Sequence, residues 1–578
     1  MKQVSTCWTE PLDLVASLRI LETVASRFAC LGGPIGREID GLIRSKDYRS
    51  LCDFELDYTL DWNVSQLANC RQALGFFTKL EDLEIGVDKE RAGFEKFEDA
   101  ERSCQESNSL FRALSSGLAD VRPDDNVILC DARRFIARVL GRCPSIAELE
   151  LRFGPGATTS IKRSDASPVE KLAETPTCSS SLVASGLLPE VVRSCEEWFS
   201  CHATHWAIDD DDYLYSVNAF RVDCGRLEFV PKSAKTYRCI DKQPTVNSLV
   251  QAGIGRFISG RLRRAGLDLR STEPNHRFAF EGSLNGLTAT IDLSNASDTI
   301  SKGLVEFLLP EDWYLLLCAA RCPQTLYKGQ RISLHKFSSM GNGFTFPLES
   351  LVFWALTVCS TPRALRSMCT VFGDDIICPT ECYGRVVKTL ELCGFEVNLS
   401  KSYSSGSFRE SCGRDYYKGT NVRPYYQKHL VSGQTLFTLH NYFVRSFQDE
   451  MAAWVKNLIP TPLRLYGPDG YGDGHLVSSK WPAKRQKEIL SNGWGGSFFE
   501  TFSLEPRRIA SRFPGDYVTP LYSVYVRGRE DLGPKIGFYE FSDEGLGVDF
   551  TKSGRPLWTY PSDESTAYRK TLVYTFSS

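Results

Sequence analysis

Thr370-Val371-Phe372-Gly373-Asp374-Asp375-Ile376-Ile377-Cys378 is two apolar half-strands on either side of Gly-Asp-Asp. Glycine and aspartate tolerate the positive φ angles of a tight turn. The string therefore predicts a β-hairpin with buried flanks and an exposed tip. A turn alone needs no second acid. Two adjacent carboxylates repel each other, and a divalent cation removes that penalty. One string thus constrains both the fold, which must contain a sheet, and the chemistry at the sheet's edge.

A second acid belongs with it. Ala289-Thr290-Ile291-Asp292-Leu293 reads as a short strand. Ser297 or Asp298 is expected to cap the next helix, which carries Ile300, Leu304, Phe307 and Leu308 and stops before Pro310. Asp292 then leaves a strand end and Asp298 lies in the following turn, both able to face one cleft. Asp292, Asp374 and Asp375 offer hard oxygen ligands without an enclosing cage. That suits magnesium, which keeps waters and also binds substrate phosphates. Two such ions, with manganese as the alternative metal, sit roughly 3.5–4 Å apart in phosphoryl transfer. A nuclease could use the same carboxylates, so they do not decide between cutting and joining.

The segment Val230-Pro231-Lys232-Ser233-Ala234-Lys235-Thr236-Tyr237-Arg238 presents three cations three residues apart. Lys232, Lys235 and Arg238 suit a triphosphate and the departure of pyrophosphate. A solvated cationic face is the plainer reading. Residues 226–270 hold ten Lys and Arg against three Asp and Glu, whereas residues 81–130 hold six against thirteen. The net charge of −3 hides this polarity. Arg256, Arg261, Arg263 and Arg264 follow on a helix expected over Val246 to Arg264 and suit a nucleic-acid backbone.

Ser338-Ser339-Met340-Gly341-Asn342-Gly343-Phe344-Thr345-Phe346 precedes an apolar helix around Leu351–Leu356. Its small residues let a backbone approach a base or sugar closely, with Ser339, Gly341 and Asn342 as candidate contacts. A helix-capping loop explains the string equally well. Cys382–Cys393 reads as a helix closed by Gly394, followed by a strand over Phe395–Leu399 that leads to Lys401. Lys401 could protonate a pyrophosphate leaving group, or be a surface lysine.

The remaining chain sets the frame. Its 578 residues and 42% hydrophobic content suffice for a large core. The start lacks the apolar core of a signal peptide, and no run reaches the roughly 20 apolar residues of a membrane helix, so no membrane is expected. The 20 cysteines form no Cys-x-x-Cys and suit reduced thiols. Cys195, Cys201, His202 and His205 cluster, but their irregular spacing favours ordinary residues over a zinc site. Residues 1–150 read mainly helical. Residues 160–190, rich in Ser, Thr and Pro, predict a long exposed connection. Residues 460–475 read as loop, and the last 60 as aromatic strands with turns.

Several strings recur in a telling order. They include Gly156-Ala157-Thr158-Thr159, Val230-Pro231-Lys232, Arg238-Cys239-Ile240, Asp292-Leu293-Ser294 with Ala296-Ser297-Asp298, and Ser338-Ser339-Met340-Gly341-Asn342-Gly343. Phe408-Arg409-Glu410-Ser411-Cys412-Gly413 and Asp469-Gly470-Tyr471-Gly472-Asp473-Gly474 follow. The order resembles the palm and fingers of right-handed, template-directed polymerases. More narrowly, the chain is similar to the replicase catalytic beta subunits of levivirus-type positive-strand RNA bacteriophages, over about 150–475. The resemblance implies an α+β right-hand fold of fingers, palm and thumb, with an antiparallel-sheet palm carrying the Gly-Asp-Asp hairpin. The divisions expected are a helical N-terminal support over 1–150, fingers over 151–285, a palm over 286–420, and a thumb with C-terminal region over 421–578. It implies an RNA-dependent RNA polymerase that copies single-stranded phage RNA by two-metal nucleotidyl transfer. Metals would sit on Asp292, Asp374 and Asp375, with Lys401 also catalytic. Lys232, Lys235, Arg238, Asp298, Ser339, Gly341 and Asn342 would bind nucleotide. The implied partners are template and nascent RNA, ribonucleoside triphosphates, host elongation factors Tu and Ts and a ribosomal protein, in the bacterial host cytoplasm.

Two positions depart from the family. Phe372 stands where Tyr is frequent, and Gln243 stands before Pro244 where Glu is frequent. A reverse transcriptase shares such a palm, but Gly373 and the matched strings argue against it. A non-enzymatic RNA-binding protein on a polymerase scaffold is disfavoured by the complete set of carboxylates.

Overall fold

The computed structural model describes residues 8, 11–154, 156–163, 166, 168–195, 198, 206–208, 214–216, 220–482, 496–504, 507–508, 559–560 and 568–575. Strands Thr370–Phe372 and Asp375–Pro379 pair antiparallel, with Phe372 opposite Asp375. Gly373 and Asp374 are therefore the two turn residues. Gly373 has φ +63°, and a Cβ there would stand 2.6 Å from the Phe346 ring. Both backbone angle and space require glycine. Thr288–Ile291 joins the other edge of Asp375–Pro379, with Ile291 opposite Ile376. That register brings Asp292, the next residue, beside the hairpin tip. Leu293–Ser294 continues the chain and pairs with Glu396–Val397.

A second sheet carries the cations. Gly225–Pro231 and Tyr237–Lys242 form an antiparallel pair, and Gly225–Pro231 also lies parallel to Gln324–Tyr327. Gln330–Ser333 completes the four strands. Lys232 and Lys235 lie in the connection, and Arg238 opposes Val230. Helix Thr345–Cys359 packs against the hairpin strands and buries Leu348, Leu351, Val352, Phe353, Ala355 and Leu356. Helix Thr245–Ala265 packs against it and covers the predicted span. The result is an α+β protein.

Two large apolar clusters hold these parts, beside a small one of Ala279, Ile377 and Tyr416. The central one includes Phe111, Ile136, Ile254, Trp313, Leu351 and Ile376. The other joins the two ends of the chain: Trp8, Phe28, Phe76 and Phe77 pack with Phe437, Phe443 and Phe502. Trp8 stacks on Phe502 at 4.6 Å. Each such side chain contributes about 1.5–3 kcal/mol on burial. The first 150 residues are thus shared. Helices Leu14–Leu31 to Val64–Gly75 serve the terminal cluster, while Lys89–Ser115 and Pro123–Leu140 serve mainly the central one.

Two local expectations are corrected. Residues 160–190 are not a long exposed connection. They contain helices Pro168–Ala173 and Ser180–Ala184, the strand Thr177–Cys178 and the start of Leu188–Ser194. Cys178 and Leu182 are fully buried. The hydroxyl-rich composition is absorbed by internal bonds: the Ser179 amide donates to Asn247 Oδ1 at 2.7 Å, and Ser181 Oγ donates to the Arg321 carbonyl at 2.7 Å. Neither Ser297 nor Asp298 caps the helix after Asp292. They lie in a 3-10 turn, Ala296–Asp298, and Ser301 caps Lys302–Leu308 through the Leu304 amide. Cys201, His202 and His205 of the cysteine–histidine cluster lie outside the described residues, whereas Cys195 is buried.

Candidate active site

A cavity of about 780 Å³ opens between the two sheets. Asp292 and Asp374 line one wall, and Lys96, Lys232 and Arg238 line another. Asp298, Gly341, Asn342 and Lys401 complete the predicted residues that reach it.

Asp292 is held in place by its neighbours. Asn398 Nδ2 donates to its Oδ2 at 3.0 Å, and its own amide donates to Ser402 Oγ at 3.1 Å. Lys401 Nζ stands 4.0 Å from the same Oδ2. Burial raises the Asp292 pKa, Lys401 opposes the rise, and the charge of Asp374 adds to it. Asp374, a turn residue, projects from the hairpin tip into the cavity. Asp375, expected as the third ligand, is not among the residues that line the cavity. It begins a strand, and its Oδ1 accepts the Cys412 amide at 2.9 Å. Burial nevertheless pushes its pKa up to about 6, with the charges of Asp374 and Asp292 adding to the rise. Glu349 was missed by sequence reasoning. It is 6% exposed, lines the cavity, and its pKa lies well above the ordinary range through burial and then Asp374 and Asp298.

Buried carboxylates that also repel one another are the donor set that a hard divalent cation relieves. Among the described residues no three His, Cys, Asp or Glu side chains converge tightly enough to hold an ion alone. A cation on Asp292 and Asp374 would complete its shell with water and phosphate oxygens, as magnesium does. The residues fit the metal.

The cationic wall brings Lys96 together with Lys232 and Arg238. Burial lowers the Lys232 pKa, and Arg238 and Lys96 lower it further. Three crowded cations, none in a carboxylate ion pair among the described residues, suit a polyanion. Lys235 does not join them: it pairs with Asp53 and lies outside the cavity lining. Lys96 was hidden because it comes from the acidic 81–130 segment.

The third wall carries amides and hydroxyls. Gly341 has φ +119°, and a Cβ there would meet the Asp241 carbonyl at 2.3 Å. Asn342 Oδ1 accepts the Ser339 amide at 3.2 Å, and its Nδ2 donates to Gln243 Oε1 at 3.4 Å. Gln243 in turn donates to Asp241 Oδ2 at 2.8 Å and accepts from Gln251 Nε2 at 3.0 Å. A glutamine both donates and accepts here, which a carboxylate cannot do. Ser339 is buried behind the wall and supports it: its carbonyl accepts Thr345 Oγ1 at 2.8 Å. Asp298 receives a hydrogen bond at Oδ1 from Lys336 Nζ at 2.9 Å. Burial alone would lower the Lys336 pKa, but Asp298, with Cys239 and Glu101, holds it above the ordinary lysine value. Phe372 meets Phe346 edge-on beside the hairpin, centroids 5.0 Å apart.

The family model for RNA replicase, beta-chain, matches residues 58–459, a span containing every residue of this cavity. The RNA-directed RNA polymerase subunit beta of Escherichia virus Qbeta is 38% identical over 424 residues, covering 70% of this chain and 68% of that one. The corresponding subunit of Qbeta virus (strain MX1) is 33% identical over 488 residues, covering 78% and 79%. The beta chain of Enterobacteria phage fr is 39% identical over 319 residues, covering 55% and 56%. A solved cypovirus polymerase, the BmCPV RNA-dependent RNA polymerase at elongation state, has TM-score 0.35 and 11% identity over 59% of this chain and 33% of that one, too loose a likeness to bear on the site. With the model match spanning most of its length, the chain belongs to the RNA replicase beta-chain family.

Proposed function

We propose that this RNA-directed RNA polymerase joins ribonucleotides in the cavity between Asp292, Asp374 and the Lys96–Lys232–Arg238 wall. Asp292 and Asp374 would hold two magnesium ions, which would supply positive charge to the reacting oxygens. Lys232, Arg238 and Lys96 hold the triphosphate by charge-assisted hydrogen bonds. Asp298 and Asn342 face the sugar, and Gly341 keeps that wall thin. The 3′-hydroxyl of the growing strand gives its proton to water, its oxygen bonds to the α-phosphorus, and the bond from that phosphorus to the bridging oxygen breaks. Lys401 gives a proton to the departing pyrophosphate. Asp375 orients the hairpin through the Cys412 amide, and Lys235 stays with Asp53.

In this reading the antiparallel sheet is the palm, within 286–420. The cationic strands belong to fingers over 151–285, and helices after 421 form a thumb braced by the N-terminal support. The substrates are single-stranded phage RNA and ribonucleoside triphosphates. Relatives named as subunits support a larger assembly, and host elongation factors Tu and Ts with a ribosomal protein are its proposed other members. No helix among the described residues is long and apolar enough to cross a membrane. The host cytoplasm is the proposed compartment.

The observation that carries this reading is the shared cavity of Asp292 and Asp374 facing Lys232 and Arg238. Replacing Asp374 by Asn is expected to abolish RNA-templated synthesis while RNA binding persists. Normal elongation by purified Asp374→Asn protein would sink the assignment. Deoxynucleotide preference on an RNA template would instead indicate a reverse transcriptase.

A further inference from the structure

Lys336 is completely buried, yet it ends on two carboxylates. Its Nζ lies 2.9 Å from Asp298 Oδ1 and 3.8 Å from Glu101 Oε1. Glu101 comes from helix Lys89–Ser115, far away in sequence, and its Oε2 accepts the His335 amide at 2.6 Å. The backbone around Lys336 is stitched to the segment after Asp298. The Phe337 amide donates to the Ile300 carbonyl at 2.7 Å, and Ser301 and Lys336 form a β-bridge. Arg321 Nη2 donates to the Lys336 carbonyl at 2.9 Å. Asp298 cannot drift relative to this lysine.

Burying an ammonium and two carboxylates rarely maximises stability, because an apolar replacement of similar volume avoids the desolvation cost. The arrangement makes sense if Asp298 must present its carboxylate in one orientation. Lys336 occupies Oδ1 from behind. Oδ2 receives no hydrogen bond among the described residues, and Asp298 lines the cavity. An acceptor fixed in that position takes a hydroxyl donor. On a ribonucleotide placed between the two charged walls, the donor is a sugar hydroxyl.

We propose that Lys336 is a positioning residue for sugar selection, acting through Asp298 and anchored by Glu101. This inference rests on the cavity being the nucleotide site. A site built to hydrogen-bond a hydroxyl rejects the analogue lacking it, because its own polar group is then left unpaired. Asn342, backed by Gln243, forms the adjoining part of the same wall.

The test is single-nucleotide incorporation on an RNA template with ribonucleoside and 2′-deoxyribonucleoside triphosphates, using the full chain in its active assembly. Replacing Lys336 by Met is expected to raise KM for the ribonucleotide about tenfold and leave KM for the deoxynucleotide within about twofold, with kcat little changed. Discrimination then falls about tenfold, and Lys336→Arg restores most of it. Equal losses on both substrates, or unchanged discrimination, would overturn the proposal. Should Lys336→Met fail to fold, Lys336→Met with Glu101→Gln removes the stranded Glu101 charge and must show the same loss of discrimination. Asp298→Ala separates the two levels. If it leaves discrimination intact, the sugar assignment itself fails. If it lowers discrimination while Lys336→Met, alone and with Glu101→Gln, does not, only the role of Lys336 fails.

Discussion

The carboxylate wall and the sugar wall of the cavity are built in opposite ways. Asp374 is placed by one continuous stretch, residues 370–379: flanking strands, a glycine at φ +63°, and a two-residue turn. Asp298 is placed by Lys336, 38 residues away, and by Glu101, 197 residues away in a separate helix. A group that must hold a cation gains from a short, stiff support, because its partner is a strong point charge. A group that must distinguish one hydroxyl needs orientation from several directions. The two walls should therefore respond differently to mutation.

The largest effect is expected on the carboxylate wall. Asp292→Asn should lower synthesis at least about 10³-fold, since metal-borne charge stabilisation supplies several kcal/mol, while filter-binding affinity for RNA stays within about threefold. Lys232→Ala should raise KM for nucleotides about tenfold, the scale of one charge-assisted hydrogen bond, in steady-state kinetics. Gly373→Ala should cost about 2 kcal/mol of stability in denaturant melts, from a left-handed backbone and a Cβ against Phe346.

Subtler is Asp241, which supports the sugar wall through Gln243. Burial raises its pKa from 3.8 to about 6. A carboxyl raised on folding contributes stability below its unfolded pKa and loses it as pH climbs through the folded value. The wild type should thus lose stability between about pH 4 and 6, and Asp241→Asn should flatten that slope in melts across this range. Smallest of all, Lys235→Ala should change nucleotide KM less than about threefold, because Lys235 ends in an exposed ion pair with Asp53. A tenfold rise would return it to the triphosphate wall.

The same contrast governs what the sequence makes legible. The hairpin, the strand before Asp292 and helix Thr245–Ala265 rest on local periodicity and turn chemistry, and their positions follow from short strings. Lys96, Lys336 and Glu349 carry no local mark strong enough to select them, although a lone acid inside the apolar Thr345–Cys359 helix is a signal that could have been used. The partners of Asp375 and Lys235 are hidden for a related reason. Spacing reports which residue types are near, but a Cys412 amide or an Asp53 carboxylate brought in by tertiary packing decides where each side chain turns. The hydroxyl-rich 160–190 segment misled because its polar groups are satisfied by Asn247 and Arg321, not by water.

Manganese binding, followed by electron paramagnetic resonance in the presence of a non-hydrolysable ribonucleoside triphosphate, tests the central claim most directly. The wild type should take up about two ions per chain. Asp292→Asn and Asp374→Asn should each lose at least one, and Asp375→Asn should retain both. Undiminished manganese binding in Asp292→Asn and Asp374→Asn would contradict the account.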